Sequence, residues 1–129
     1  MTYCLDTSFL VDFLRGDPAA VERARALEER HERRYVPAPG AHELLEGALN
    51  RGQSHLARAI ALLDAMDIIP TDMRVASDAA RIGSEGRGRG YPITGIDALI
   101  AASARVNHLI LLTRDQAFAR VHGLAVEPY

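Results

Sequence analysis

Residues 95–118 read "GIDALIAASARVNHLILLTRDQAF": a helix, a fully apolar strand and a new helix start, with Asp97 and Asp115 at the two bends. The run 95–107 has helical periodicity, and the stretch 109–112, "LILL", fits a buried strand. A carboxylate at each junction has two readings. Acidic side chains near a helix N-terminus are favoured by the helix dipole and by unsatisfied N–H groups, so either aspartate can simply start a helix. The other reading is a metal site.

Outward from this stretch, short apolar runs alternate with amphipathic ones. "TYCL" at 2–5 is a strand running into "DTS"; helical residues 9–14 follow, and Asp17 caps a second helix that has Pro18 at its first position and reaches about residue 33. "RRYVP" at 33–37 is a second strand, and a helix carrying Glu43 follows Pro39-Gly40. A further helix from Ser54 to Met66 puts Leu56, Ile60 and Leu63 on one face, and "MDIIP" makes a third strand. The helix from Asp72 buries Val75, Ala79 and Ile82 and is expected to end at a glycine-rich loop, "GRGRG", residues 86–90. A short helix from about residue 115 and a last strand, "LAVE" at 124–127, complete the chain. This alternation predicts a single domain over residues 1–129 of the α/β class: three layers, α/β/α, with a mostly parallel central sheet and right-handed crossovers.

Composition narrows the chemistry. With 129 residues, 48% of them hydrophobic, the chain suffices for one ordinary core and is too short to expect two. No apolar run is long enough to cross a bilayer, and "MTYCLDTSFLVDFLRGD" lacks the pattern of a secretion signal, so a cytoplasmic protein with no membrane partner is expected. Cys4, the only cysteine, sits in an apolar run and is expected to be a small buried thiol. The formal net charge of −2 gives no global basic signature, so contact with nucleic acid must come from a local patch. All 15 basic residues are arginines, and the absence of lysine excludes P-loop hydrolases, Schiff-base enzymes and pyridoxal enzymes.

In parallel α/β sheets, ligands bind beyond the carboxyl ends of the strands, near the point where strand order reverses. Asp6 directly follows "TYCL", Asp115 follows "LILLTR", Glu43 lies early in the helix after "RRYVP", and Asp97 opens the helix that feeds the strand before Asp115. These four acids, distant in sequence, can converge at one edge. Carboxylates a few ångströms apart repel and partly protonate unless a cation sits between them. Oxygen-only ligands suit Mg²⁺ or Mn²⁺, and one or two such ions can polarise a phosphodiester and generate a hydroxide. That chemistry requires no Ser, Cys or Lys nucleophile.

The segments "YCLDTSFLVDFL", "HELLEGA" and "GIDALIAASARVNHLILLTRDQAF" resemble the three acidic motifs of the PIN-domain ribonucleases and, more narrowly, of the VapC toxins of type II toxin–antitoxin pairs. The similarity runs from the first strand to the last. The resemblance implies a Mg²⁺- or Mn²⁺-dependent endoribonuclease acting on RNA, a homodimer, and inhibition by a cognate VapB-like antitoxin whose C-terminal segment occupies the groove. Carried over residue by residue, the catalytic set is Asp6, Glu43, Asp97 and Asp115, with metal held by Asp6, Asp97 and Asp115, and Ser8 and Thr113 as polar neighbours.

Each residue also has a plainer role. Asp6 can cap the helix near Ser8, yet Ser8 can do that unaided, which leaves Asp6 a surplus charge at a strand end. "TGID" resembles a capping box with Asp97 in third position, and Asp115 stands two residues after a potential cap, Thr113. Glu43 is selected by motif alignment alone, with Glu46 one turn away; Asp12 is either a solvated residue or a supporting group. "HELLE" has Glu46 where a zinc protease needs histidine, and the five histidines show no ligand spacing. "GRGRG" has neither the lysine nor the setting of a phosphate loop, although Arg87 and Arg89 can grip RNA phosphates beside the acids. Phe9, Leu10, Phe13 and Leu14 are expected to serve the core and a dimer interface. Two other classes compete: a catalytically silent PIN-like interaction module, expected to lose its acids, and an aspartyl-phosphate phosphatase, which wants a second Asp where Ser8 stands and a lysine. A stand-alone PIN nuclease in RNA processing is the remaining variant of the nuclease reading.

Overall fold

Two adjacent strands with almost no polar interior position organise the molecule. In the computed structural model, which describes residues 1–129, the order is β1 (Thr2–Leu5), α1 (Thr7–Leu14), α2 (Pro18–Glu29), β2 (Arg33–Pro37), α3 (Ala38–Arg51), α4 (Gln53–Asp64), β3 (Asp67–Ile69), α5 (Met73–Gly88), α6 (Gly95–Val106), β4 (Ile110–Leu112), a 3₁₀ turn (Gln116–Arg120) and β5 (Val126–Glu127). The sheet has the order β3-β2-β1-β4-β5, and every pairing is parallel. β1 lies opposite β4 in the register Tyr3↔Ile110, Cys4↔Leu111, Leu5↔Leu112.

The two-residue period of a strand then sorts side chains between two cores. Cys4 and Leu111 join the cluster formed with α5 and α6, including Val75, Ile82, Ile100 and Ala101. Tyr3, Leu5 and Leu112 join the other, with Phe9, Leu10, Leu27 and Leu44. Helices therefore cover both faces, as the alternation of elements requires. α6 packs closely on the sheet because Ala98, Ala101, Ala102 and Ala104 are among its buried positions, and Ser103 satisfies its hydroxyl on the Leu99 carbonyl at 2.8 Å. Cys4 is a buried free thiol, and burial pushes its pKa up, which removes it as a nucleophile.

Some local expectations change. The first helix starts at Thr7, and α2 stops at Glu29 because His31 adopts φ 53 before β2 begins. α3 begins at Ala38, so Pro39 and Gly40 lie inside its first turn, where the missing proline N–H has no intrahelical partner to lose. α4 spans Gln53–Asp64, and its buried residue is Ala59, leaving Ile60 exposed. "GRGRG" is not wholly a loop: α5 continues through Gly88. Phe9 and Leu10 are buried in the molecule's own core, so of the apolar set on α1 only Phe13 and Leu14 remain part-exposed.

The chain builds β1, β2 and β3 outward on one side, then crosses to place β4 and β5 on the other side of β1. The order reverses between β1 and β4. Their carboxyl ends, Leu5 and Leu112, are directly paired, so Asp6 and Thr113 emerge side by side.

Candidate active site

The backbone of Asp6 is tied into both neighbours. Its N–H donates to the Leu112 carbonyl at 3.1 Å, and its own carbonyl accepts from Phe9 N at 3.1 Å and Leu10 N at 3.3 Å, starting α1. Asp6 stands at the N-cap, but its side chain makes no capping bond. Its Oδ2 accepts instead from Ser8 Oγ at 2.8 Å and Thr113 Oγ1 at 2.7 Å. Thr113 Oγ1 in turn accepts from the Asp115 N–H at 3.0 Å, so one hydroxyl links the carboxylate of Asp6 to the backbone of Asp115. Asp6 is 4% exposed and Thr113 2%. The expected Ser8 cap does not form; Ser8 lies in the first turn and serves Asp6.

Glu43 arrives from α3. Thr7 Oγ1 donates to its Oε1 at 2.8 Å, which ties the start of α1 to α3. Thr7 escapes a reading of the sequence alone, although its place beside Asp6 in "DTS" is a usable signal. His42 and Glu46 form an exposed pair of their own at 3.3 Å.

Asp97 and Asp115 keep part of their plainer roles. Thr94 caps α6 by accepting from Asp97 N at 3.2 Å, and Asp115 Oδ1 caps the 3₁₀ turn by accepting from Ala117 N at 2.9 Å. Asp97 nevertheless carries a raised pKa. Desolvation is the main cause, the Thr94 hydroxyl opposes it, and the charges of Asp6, Glu43 and Asp115 raise it further. The four acids thus share one electrostatic field at the edge where strand order reverses. None of them has an arginine or histidine partner, while nine other ion pairs form elsewhere.

The donor set suits a hard cation: Asp6 Oδ1, Glu43 Oε2 and Asp115 Oδ2 accept no hydrogen bond from the protein. The side chains do not already form a closed cage, since no three His, Cys, Asp or Glu groups gather tightly enough to hold an ion as they stand.

Around this edge, Asp12 is buried and held by Arg114 at 3.0 Å and by the Tyr129 hydroxyl at 2.7 Å. The Tyr129 pKa is raised by burial and by Asp12, and its ring meets Phe9 edge-on at 4.9 Å. Asp12 is therefore neither solvated nor free. Arg89 lines a pocket with Asp97, and Arg87, in the last turn of α5, is not among that pocket's walls. A second cleft, about 560 Å³, opens between α1, α3 and α4 with Glu43 on its wall beside Arg15, Arg51 and Arg58. Those arginines come from separate elements of the chain, so only the tertiary fold gathers them.

A family model described as "PIN domain" matches residues 3–124. The chain is 26% identical over 132 residues, covering all of this chain and 98% of the relative, to a protein named tRNA(fMet)-specific endonuclease VapC from Shigella flexneri. Among solved structures it is similar to VapBC2 from Rickettsia felis bound to a DNA fragment from its promoter, with TM-score 0.84, 20% identity, and coverage of 100% of this chain and 99% of that one. It is also similar to VapBC-5 from Mycobacterium tuberculosis, a member of the VapBC family of toxin–antitoxin systems, with TM-score 0.68, 27% identity and coverage of 98% and 96%.

Proposed function

The chain belongs to the PIN-domain family, and from that premise we propose that it is a metal-dependent endoribonuclease, the toxin of a VapBC-type pair, built as one domain over residues 1–129 and acting in the cytoplasm. The observation that carries the proposal is the acidic edge: Asp97 feels the charges of Asp6, Glu43 and Asp115, and none of the four acids is taken up in an ion pair.

In this reading Asp6, Asp97 and Asp115 hold Mg²⁺ or Mn²⁺, with Glu43 acting directly or through water. The ion supplies Lewis acidity at the phosphodiester and lowers the pKa of water, so no covalent intermediate is needed. The protein's part is orientation. Ser8 and Thr113 fix Asp6 by one oxygen, Thr7 fixes Glu43 by one oxygen, and in each case the other oxygen is left for a ligand. Arg89, on the pocket wall shared with Asp97, and Arg87 nearby on α5 offer charge to RNA phosphates.

Similarity to a tRNA(fMet)-specific endonuclease and to a VapBC toxin–antitoxin protein supports an RNA substrate and a VapB-like antitoxin. No helix is long and apolar enough to cross a membrane. A homodimer belongs to the same proposal, and of the four apolar residues expected to serve it only Phe13 and Leu14 keep exposed surface, while packing in part on the core. Light scattering at micromolar concentration checks that point: a dimer is expected, and a monomer alone removes it.

The test of function is cleavage of tRNA and of single-stranded RNA by the purified protein. Cleavage is expected with Mg²⁺ or Mn²⁺ and is expected to stop with EDTA. Undiminished cleavage in EDTA rejects metal catalysis.

A further inference from the structure

The pocket that Asp97 shares with the α5–α6 connection has features that holding a cation does not explain. It encloses about 200 Å³, and its walls include Ile82, Gly86, Arg89, Tyr91, Asp97 and Arg120. Pockets that bury a drug-sized ligand run to roughly 300–1,000 Å³, so this one suits a single planar ring system.

Tyr91 is the only aromatic residue among the large apolar side chains left exposed, at 48%. The Arg120 guanidinium carbon lies 4.5 Å from the centre of its ring. Arg120 closes the 3₁₀ turn that Asp115 caps, and Tyr91 precedes α6, which carries Asp97. The ring and the cation behind it are therefore mounted on the two segments that also present two of the site acids.

The mount is rigid. Tyr91 N donates to the Gly86 carbonyl at 2.7 Å, and Gly90 turns the chain with φ 77. A Cβ at Gly86 would come within 2.5 Å of the Tyr91 carbonyl oxygen, so the connection folds onto α5 only because residue 86 is glycine. An exposed aromatic ring on a connection anchored to α5, backed by a guanidinium and bordered by Arg89, has the composition of a nucleic-acid stacking site. Aromatic faces and arginine planes take up unpaired bases, while neighbouring arginines meet the phosphates.

We infer that Tyr91, backed by Arg120, is a stacking platform for one unpaired nucleobase of the RNA, beside the phosphodiester on which the acidic edge acts. This rests on the ribonuclease reading. It makes Tyr91 a substrate-positioning residue, one that selects unpaired RNA and contributes mainly to KM.

The test begins by mapping a cut site with Mn²⁺ in tRNA and making short single-stranded oligonucleotides that span it, intact or abasic at each flanking position. Tyr91→Ala is expected to raise KM on the intact oligonucleotide about tenfold, within the range found for losing one base–aromatic stack, with kcat little changed. Tyr91→Phe keeps the ring and is expected to restore wild-type KM. On one abasic oligonucleotide the difference between wild type and Tyr91→Ala should vanish. Equal KM for wild type and Tyr91→Ala on intact RNA overturns the inference while leaving the ribonuclease reading standing, as does a loss of the same size on every abasic substrate. So does an effect of Tyr91→Ala confined to antitoxin binding. Should Tyr91→Ala not fold, wild type alone decides: no abasic position that weakens binding means no stacking platform. A wild type that cleaves no RNA with Mn²⁺ removes the ribonuclease reading and this inference together.

Discussion

The starts of α1 and α2 place an aspartate in the same position and use it differently. Asp17 precedes Pro18, accepts from Ala20 N at 3.1 Å, and caps α2 in the ordinary way. Asp6 is also the N-cap of its helix, but its carboxylate turns away from the helix amides to two hydroxyls, one from Ser8 and one from Thr113. α1 thus goes without a stabilising cap while a charge is kept almost wholly buried at the end of the central strand. The difference separates an acid that builds a helix from an acid released from that duty, the one the proposed metal site uses. Asp97 and Asp115 fall between these cases: backbone or hydroxyl partners engage them locally, yet the field of the other acids reaches Asp97.

The largest effect that sharpens this comparison is on cleavage. Asp6→Asn keeps the shape and can still accept from Ser8 or Thr113, but removes the charge; RNA cleavage is expected to fall at least about a hundredfold, the lower end of what losing one preorganised charge-stabilising group costs. Asp17→Ala is expected to cleave at the wild-type rate. Parallel initial-rate assays of the two variants decide, and comparable losses in both would erase the distinction.

Stability gives the reverse order. Asp17→Ala should lower unfolding free energy by about 1 kcal/mol, the usual cost of a lost N-cap, measurable by urea denaturation. Asp97→Ala, in EDTA, removes a carboxylate that burial and three neighbouring acids oppose, so relief of that cost offsets or reverses the loss of the side chain. A loss for Asp97→Ala in EDTA as large as that for Asp17→Ala would return Asp97 to the class of helix starters.

A smaller effect lies in the pH dependence. The Val75 N–H holds the Asp72 carboxyl below its usual pKa, so Asp72 contributes stability above the unfolded carboxylate range that is lost as pH falls. The Asp97 carboxyl is raised, so its contribution has the opposite sign: it is fully present at low pH and is lost as pH rises through the folded-state value. Denaturation in EDTA between acid and neutral pH should therefore show Asp97→Asn gaining stability relative to wild type as pH rises, whereas Asp72→Asn should lose relative stability. A flat difference for Asp97→Asn contradicts the raised pKa.

The architecture is legible in the sequence because strands and helices signal through period and order. "TYCL" and "LILL" are short and apolar, and parallel pairing brings the residues just beyond their carboxyl ends to one edge, which makes Asp6, Thr113 and Asp115 recognisable together. Contacts made across the fold are not legible. On its own helix Asp12 reads equally as a solvated or a supporting acid, and only Arg114 and Tyr129, more than a hundred residues away, make it a buried and partnered one. Glycines at 86 and 88 signal a loop by local propensity, but the close return of Tyr91 onto Gly86 accounts for a glycine inside the helix. Ile60 matches an apolar stripe of which α4 packs Leu56 and Leu63 against the core but leaves Ile60 exposed, because the small Ala59 faces inward instead.

Metal-dependent unfolding tests the central claim most directly, because a ligand that binds only the folded state stabilises it by RT ln(1 + [L]/Kd). Wild type, Asp17→Ala and Asp97→Ala are unfolded thermally, each in EDTA and in excess Mn²⁺. Wild type and Asp17→Ala should gain equally on adding metal, about 2.7 kcal/mol when free Mn²⁺ is a hundred times Kd, and Asp97→Ala should gain far less. Equal gains in all three proteins, or none in any, would contradict a metal site at the acidic edge.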